Sequence, residues 1–285
     1  MLTTLLQRSG LLAGLALCLL LGTAYPAGAT HLLGGEMTYR YLDANGPAGA
    51  PLRYELTVTV YNSCGSANIS SPRAAASVAI YDQGTGNRVV LTAGNSQFVQ
   101  NGLLSIPYTS LSECVAPPVP PGCTITGVTQ PYRLQKFVTV VNLPASTSGY
   151  YAVFTDNARN LDVTNLLNPA NQFLTLYVSM SPPSIPNSSP VFSDIAVAII
   201  CANDTTFLLN NAVDADGDRL VYSFGQPYAL SASLSSYYHF SPPPPPVAYN
   251  FGEAYSATTP FGTAAGNFAS LDPTTGLATY GATSV

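Results

Sequence analysis

The sequence predicts an all-β protein of two antiparallel β-sandwiches in tandem behind a cleaved export signal. Three observations lead there. Short runs rich in Val, Ile, Tyr and Phe recur along the chain, some with strict two-residue alternation. Turn formers separate them: 23 glycines and 24 prolines are spread over 285 residues without a collagen period. No stretch carries the sustained 3.5-residue apolar repeat of a coiled coil.

Residues 1–29 carry Arg8 in a polar start, an apolar stretch over 11–21, and Ala27-Gly28-Ala29, small residues where a signal peptidase cuts. The apolar core is too short to cross a bilayer of ~30 Å, and nothing downstream supplies the ~20 apolar residues of a spanning helix. The remainder is therefore expected outside the cell, secreted or at the surface, with no transmembrane segment. Cys18 lies within the apolar core after Leu17, where lipid attachment would need a small residue, so lipidation is not expected.

Only 8% of residues are charged, against ~25% in ordinary soluble domains. Lys136 is the sole lysine; loss of Arg8 on cleavage leaves eight basic against 14 acidic residues, a net charge of −6. No basic surface is available for a polyanion, which excludes nucleic acid as a partner.

Residues 52–61 alternate Leu52, Tyr54, Leu56, Val58 and Val60 on one face with Arg53, Glu55, Thr57 and Thr59 on the other, a half-buried strand. Further strands are expected at 77–81, 88–92, 134–141, 150–155 and 173–180, with a hairpin turn over 83–87. Residues 163–171 are weakly helical and interrupted by Pro169. The segment 181–192 holds four prolines and reads as a stiff linker, so one sandwich is expected over 30–180 and a second over 193–285. The second would hold strands at 197–200, 205–209 and 220–224. A proline run at 242–246 suits either a rigid loop or a polyproline II ligand.

After export four cysteines remain, Cys64, Cys114, Cys123 and Cys201, an even number in an oxidising compartment. Cys114 and Cys123 flank a Pro-rich turn able to bring them within bridging distance, a closure worth roughly 2.7 kcal/mol. That pairing leaves Cys64 with Cys201. A four-thiolate zinc site is the alternative, but the C-x2-C knuckles that zinc favours are absent.

The densest chemical signal is Asp214-Ala215-Asp216-Gly217-Asp218. Three carboxylates so close together suit a hard cation that takes 6–8 oxygen ligands, so Asp214, Asp216 and Asp218 are candidate calcium ligands. An acidic turn with solvated or N–H-capping carboxylates is the alternative. No G-x-S-x-G, H-E-x-x-H or P-loop is present, and the two histidines, His31 and His239, lie far apart in the sequence. A carboxylate-based glycan hydrolase would have to draw on acids such as Glu36, Glu55 and Glu253, and a glycan-binding surface on the 18 tyrosines.

The stretches NSSPVF, AVDADGDRLVYSF and FASLDPTTGLATY together resemble a cadherin-like extracellular repeat. The earlier THLLGGEMTYRYL and YELTVTVYNSC resemble the N-terminal region of large surface proteins of gliding Bacteroidota that end in a gliding-motility-associated C-terminal sorting domain. The resemblance implies a non-catalytic role in adhesion or surface organisation, linked to gliding motility, with a surface protein or polysaccharide as partner. It also implies that the second sandwich is incomplete, with further strands expected after Val285. Two departures stand out. Asn157-Ala158-Arg159-Asn160 replaces the paired cysteines that the family commonly has before Arg-Asn, and Asn187 is the one oxygen ligand of the calcium-linker kind between Ser181 and Phe192.

Overall fold

The structure, a computed structural model, describes residues 32–64, 72–124, 130–157, 159–160, 162–182, 184–195, 198–230, 236–239, 241–250 and 254–283. The export signal, His31 and Glu253 lie outside the described residues. The protein is all-β. The strands are β1 Leu32–Asp43, β2 Leu52–Ser63, β3 Ala75–Asp82, β4 Val99–Gln100, β5 Leu103–Leu111, β6 Tyr132–Leu143, β7 Tyr150–Asp156, β8 Leu174–Met180, β9 Val191–Phe192, β10 Thr205–Leu209, β11 Ala212–Val213, β12 Phe268–Leu271 and β13 Leu277–Gly281. The expected helical stretch is reduced to one 3-10 turn, Pro169–Asn171, because Pro169 removes a backbone donor.

The first eight strands form one antiparallel sheet in the order β1-β2-β6-β5-β3-β7-β8, with β4 on β5. It folds into two layers because β5 changes partner. Its first half pairs β3, from Val78↔Leu104 to Ala75↔Pro107, and its second half pairs β6, from Tyr108↔Phe137 to Leu111↔Gln135, with a register shift between Tyr108 and Ser110. A strand that bends through an irregularity and serves both layers makes the corner of a sandwich. Pro107, which has no N–H to give a ladder, sits at that handover.

The open side nearly closes where β1 approaches β8. Gly35 makes the approach possible: a Cβ there would stand 2.6 Å from the Thr59 carbonyl oxygen and 3.0 Å from Leu176 Cδ1. Between the layers lies the core predicted from the alternation of β2: Tyr54, Leu56, Val58 and Val60 meet Val78, Ile80, Ile106, Phe137 and Phe154, all buried.

Strands β3 and β7 are buried on both faces. On the far face Tyr81 and Tyr151 stack at 5.0 Å between centroids, in a second cluster with Leu230 and the half-buried Tyr237. The covering chain is drawn from residues 226–230, 236–239 and 241–250, which follow the acidic turn in sequence and return to the first sheet. Leu230 N–H donates to Thr175 Oγ1 at 3.1 Å, the Tyr81 hydroxyl to the Tyr237 carbonyl at 2.9 Å, and Arg88 N–H to the Tyr238 carbonyl at 2.8 Å. Residues 88–92, expected as a strand, make one isolated bridge, Arg88 to Tyr81, and the Val89 and Leu91 N–H groups go to different neighbours, the Ile80 and Gly102 carbonyls, so no continuous ladder forms. Ser189, within the expected linker, likewise docks on β1: Ser189 and Tyr39 exchange backbone and hydroxyl hydrogen bonds of 2.8–3.2 Å.

The remaining strands make two small sheets, β10-β13-β12 and β11-β9. Leu277–Gly281 pairs on both sides, following the turn in which Asp272 Oδ1 accepts the Thr274 and Thr275 N–H groups and Gly276 adopts φ 72°. Residues 220–224, expected as a strand, have no ladder partner and are not a strand.

Candidate functional site

The four cysteines are paired, but not as their spacing suggests. Cys64 bonds Cys114 with Cα atoms 6.1 Å apart, and Cys123 bonds Cys201 at 5.7 Å. The expected Cys114–Cys123 and Cys64–Cys201 pairs are corrected on two physical grounds. Strand β6 lies between β2 and β5, and the Cys64 N–H to Pro131 carbonyl bond and the mutual Val115–Tyr132 bonds bring Cys64 and Cys114 to the same end of β6. The eight residues between Cys114 and Cys123 include Pro117, Pro118, Pro120 and Pro121. A proline-rich segment extends at ~3.1 Å per residue and carries its end away from its start, here as far as Cys201.

Two of the three acids of the candidate calcium turn have a backbone task. Asp214 Oδ1 accepts the Asp216 and Asp218 N–H groups at 2.9 and 3.1 Å, and Asp216 Oδ2 accepts the Ser188 N–H at 2.6 Å. Gly217 at φ 82° lets the chain curl between them. Asp214 and Asp218 line a cleft of about 380 Å³ with Tyr39, Tyr177, Ser179 and Asn187. The donor chemistry is that of a calcium site, hard oxygens only. The arrangement is that of a carboxylate-capped turn: among the described residues no three metal-ligating side chains converge.

Of the acids named as hydrolase candidates, Glu36 and Glu55 stand apart on neighbouring strands. Glu55 ion-pairs with Arg40 at 3.2 Å on the outer face of the β1–β2 ladder. Glu36 lies in the cross-strand row Glu36–Thr59–Lys136; burial pushes its carboxyl above the ordinary value, against the opposing effects of Lys136 and a hydrogen bond from Tyr61. His239 shares a hydrogen bond with Asn87 at 3.2 Å. The tyrosines pack mostly with one another, as in the Tyr41–Tyr54 and Tyr177–Tyr228 edge contacts.

Two features are not legible from the sequence. Arg159, 8% exposed, donates from Nη2 to the Tyr228 carbonyl at 2.8 Å and ties the returning segment to β1, where Leu32 bridges Arg159. Burial lowers its pKa to about 10. The second is an apolar cleft of about 740 Å³ between the proline-rich loop at Pro118–Pro121 and β10, with Ile195, Phe224 and Phe261 in its wall. Both features join residues far apart in sequence. The prolines at 117–121 read only as a turn between Cys114 and Cys123, and nothing in the sequence marked a partner surface.

Comparison with protein-family models, curated proteins and solved structures returns no match to this chain.

Proposed function

We propose that the chain is an exported, non-catalytic β-sandwich module that serves adhesion or the organisation of a cell surface, linked to gliding motility, with a surface protein or polysaccharide as partner. The observation that carries this reading is the pair of disulfides, since such bonds persist in oxidising compartments and staple domains that work outside the cell. The test is a deletion of the gene in its own host, scored for surface attachment and spreading. Loss of attachment, restored by the wild-type chain, is expected. Unchanged attachment, with purified protein hydrolysing polysaccharide, would replace this reading by that of a secreted glycan-processing enzyme.

Calcium at Asp214, Asp216 and Asp218 is a subordinate part of the proposal. It is supported by the carboxylate oxygens that the turn's backbone leaves free, at Asp218 and on the second oxygens of Asp214 and Asp216. Because binding competes with the existing caps, the affinity belongs in the ~10⁻⁴–10⁻³ M range of extracellular modules. Titration calorimetry of the wild type against Asp218→Asn tests it. Absence of heat up to about 10 mM calcium, tenfold above the weak end of that range, would leave the turn as purely structural.

A further inference from the structure

Strand β10 ends its sheet, and its ladder phase can be read from two bonds beyond the strands. Asn210 N–H donates to the Gly276 carbonyl at 3.0 Å, and Asp272 N–H to the Leu277 carbonyl at 2.9 Å. In an antiparallel ladder bonded and non-bonded pairs alternate. The first bond therefore turns the even-numbered residues of β13 toward β10, and the second turns the odd-numbered ones toward β12. On β10 it follows that Thr206 and Leu208 face β13, while Thr205, Phe207 and Leu209 point their backbone groups away from the sheet. Asp204 Oδ1 takes the Thr205 N–H at 2.7 Å, so the N–H and C=O groups of Phe207 and Leu209 form the open part of the edge.

Side chains along the same strand alternate between the two faces of the sheet. Phe207 and Leu209, 64% and 56% exposed, stand on one face, and Leu208 on the other. All three line the 740 Å³ cleft, which therefore wraps the edge of β10 instead of lying beneath one face. Its opposite wall is the Pro118–Pro121 loop, held near by the Cys123–Cys201 bond. Edges are ordinarily blunted by a charge, a proline or a bulge within the strand, and Thr-Thr-Phe-Leu-Leu has none.

We propose that this groove binds an extended segment of a partner polypeptide, which adds as a strand to β10 and places apolar side chains in the cleft. Charge selects the partner's character. Among the described residues Asp194 is the one charged group lining the cleft, and Asp204 stands just before β10; both are acidic, so they favour a segment with basic residues at its ends. A second copy of this acidic chain fits less well: it would bring its own Asp194 and Asp204, and its own proline loop projects beside the edge that must pair. Backbone bonds from Phe207 and Leu209 supply the affinity of strand addition, and the cleft supplies selection of alternate apolar side chains. The inference is independent of the adhesion proposal, since it rests on the edge and cleft alone.

The test uses the full chain and a fluorescein-labelled probe of alternating valine and threonine with lysine at each end. The control probe carries proline at its centre. We expect saturable anisotropy with the first probe and at least tenfold weaker binding of the control. Phe207→Lys should weaken binding at least tenfold without lowering the melting temperature, because the side chain is exposed. Failure of the alternating probe to bind, or equal binding of the control, overturns the proposal. So does a sedimenting dimer that Phe207→Lys returns to monomer, since the edge would then belong to a second copy.

Discussion

Tyr54 is buried in the core with its hydroxyl lacking a hydrogen-bond partner among the described residues. Burial pushes its pKa above the ordinary tyrosine value, with Tyr41, Tyr150 and Tyr39 adding to the effect. An unsatisfied buried hydroxyl costs about 1–3 kcal/mol. Tyr54→Phe is therefore expected to leave urea stability unchanged or raise it by up to ~1 kcal/mol, whereas most tyrosine truncations in a core destabilise. Asp82 behaves differently. Partial burial alone would raise its pKa, but hydrogen bonds from Ser146, Thr85 and Gly84 outweigh that and hold it below the ordinary carboxylate value. A depressed carboxylate contributes stability above its unfolded pKa and loses it as pH falls through the folded value. The contribution of Asp82 is thus present at neutral pH and vanishes in the acid range below about pH 4. Ser146→Ala removes the 2.8 Å bond to Oδ2, so an NMR titration should find the Asp82 midpoint shifted upward.

The two disulfides close loops with sequence separations of 50 and 78, each worth about 4 kcal/mol on the chain-entropy estimate. Replacing Cys123 and Cys201 together by serine should lower unfolding stability by roughly that amount while leaving the eight-stranded sheet folded, as read by near-UV tyrosine dichroism and denaturant midpoint. A loss of all cooperative structure would mean that this bond defines the fold as well as staples it. Strands whose faces differ in solvent contact were legible: the alternation in 52–61 became β2, and residues 205–209 became β10 with the expected bounds. Strand β7, buried on both faces, was found from its apolar run, but alternation could not show that a second layer covers it. The run at 220–224 has the same strand composition and forms none, because a strand exists only where a neighbour offers a ladder. Cysteine pairing failed for a related reason. Spacing along the chain counts residues, whereas strand order decides which ends meet.

At the scale of the whole molecule, the chain does not lay down its two halves strictly in sequence order. Residues after the acidic turn, Leu230 and Tyr237 among them, return to cover β3 and β7, with Leu230 at 2% exposure against Tyr81 and Tyr151. Leu230→Ala should cost 2–5 kcal/mol, the range for a buried leucine, and the loss should appear in the unfolding of the first sheet. A residue of a separate second sandwich would leave that transition unmoved. The site was only partly legible for the same reason: Asp214, Asp216 and Asp218 were visible as a motif, whereas the cleft joins Pro118–Pro121 to β10, segments far apart in sequence. The central claim is that this is a disulfide-stapled module displayed outside the cell. Peptides shaved by protease from intact host cells and mapped by mass spectrometry without reduction test it most directly. The account predicts release of linked peptides joining Cys64 to Cys114 and Cys123 to Cys201. Recovery of these cysteines as free thiols, and only after lysis, would contradict it.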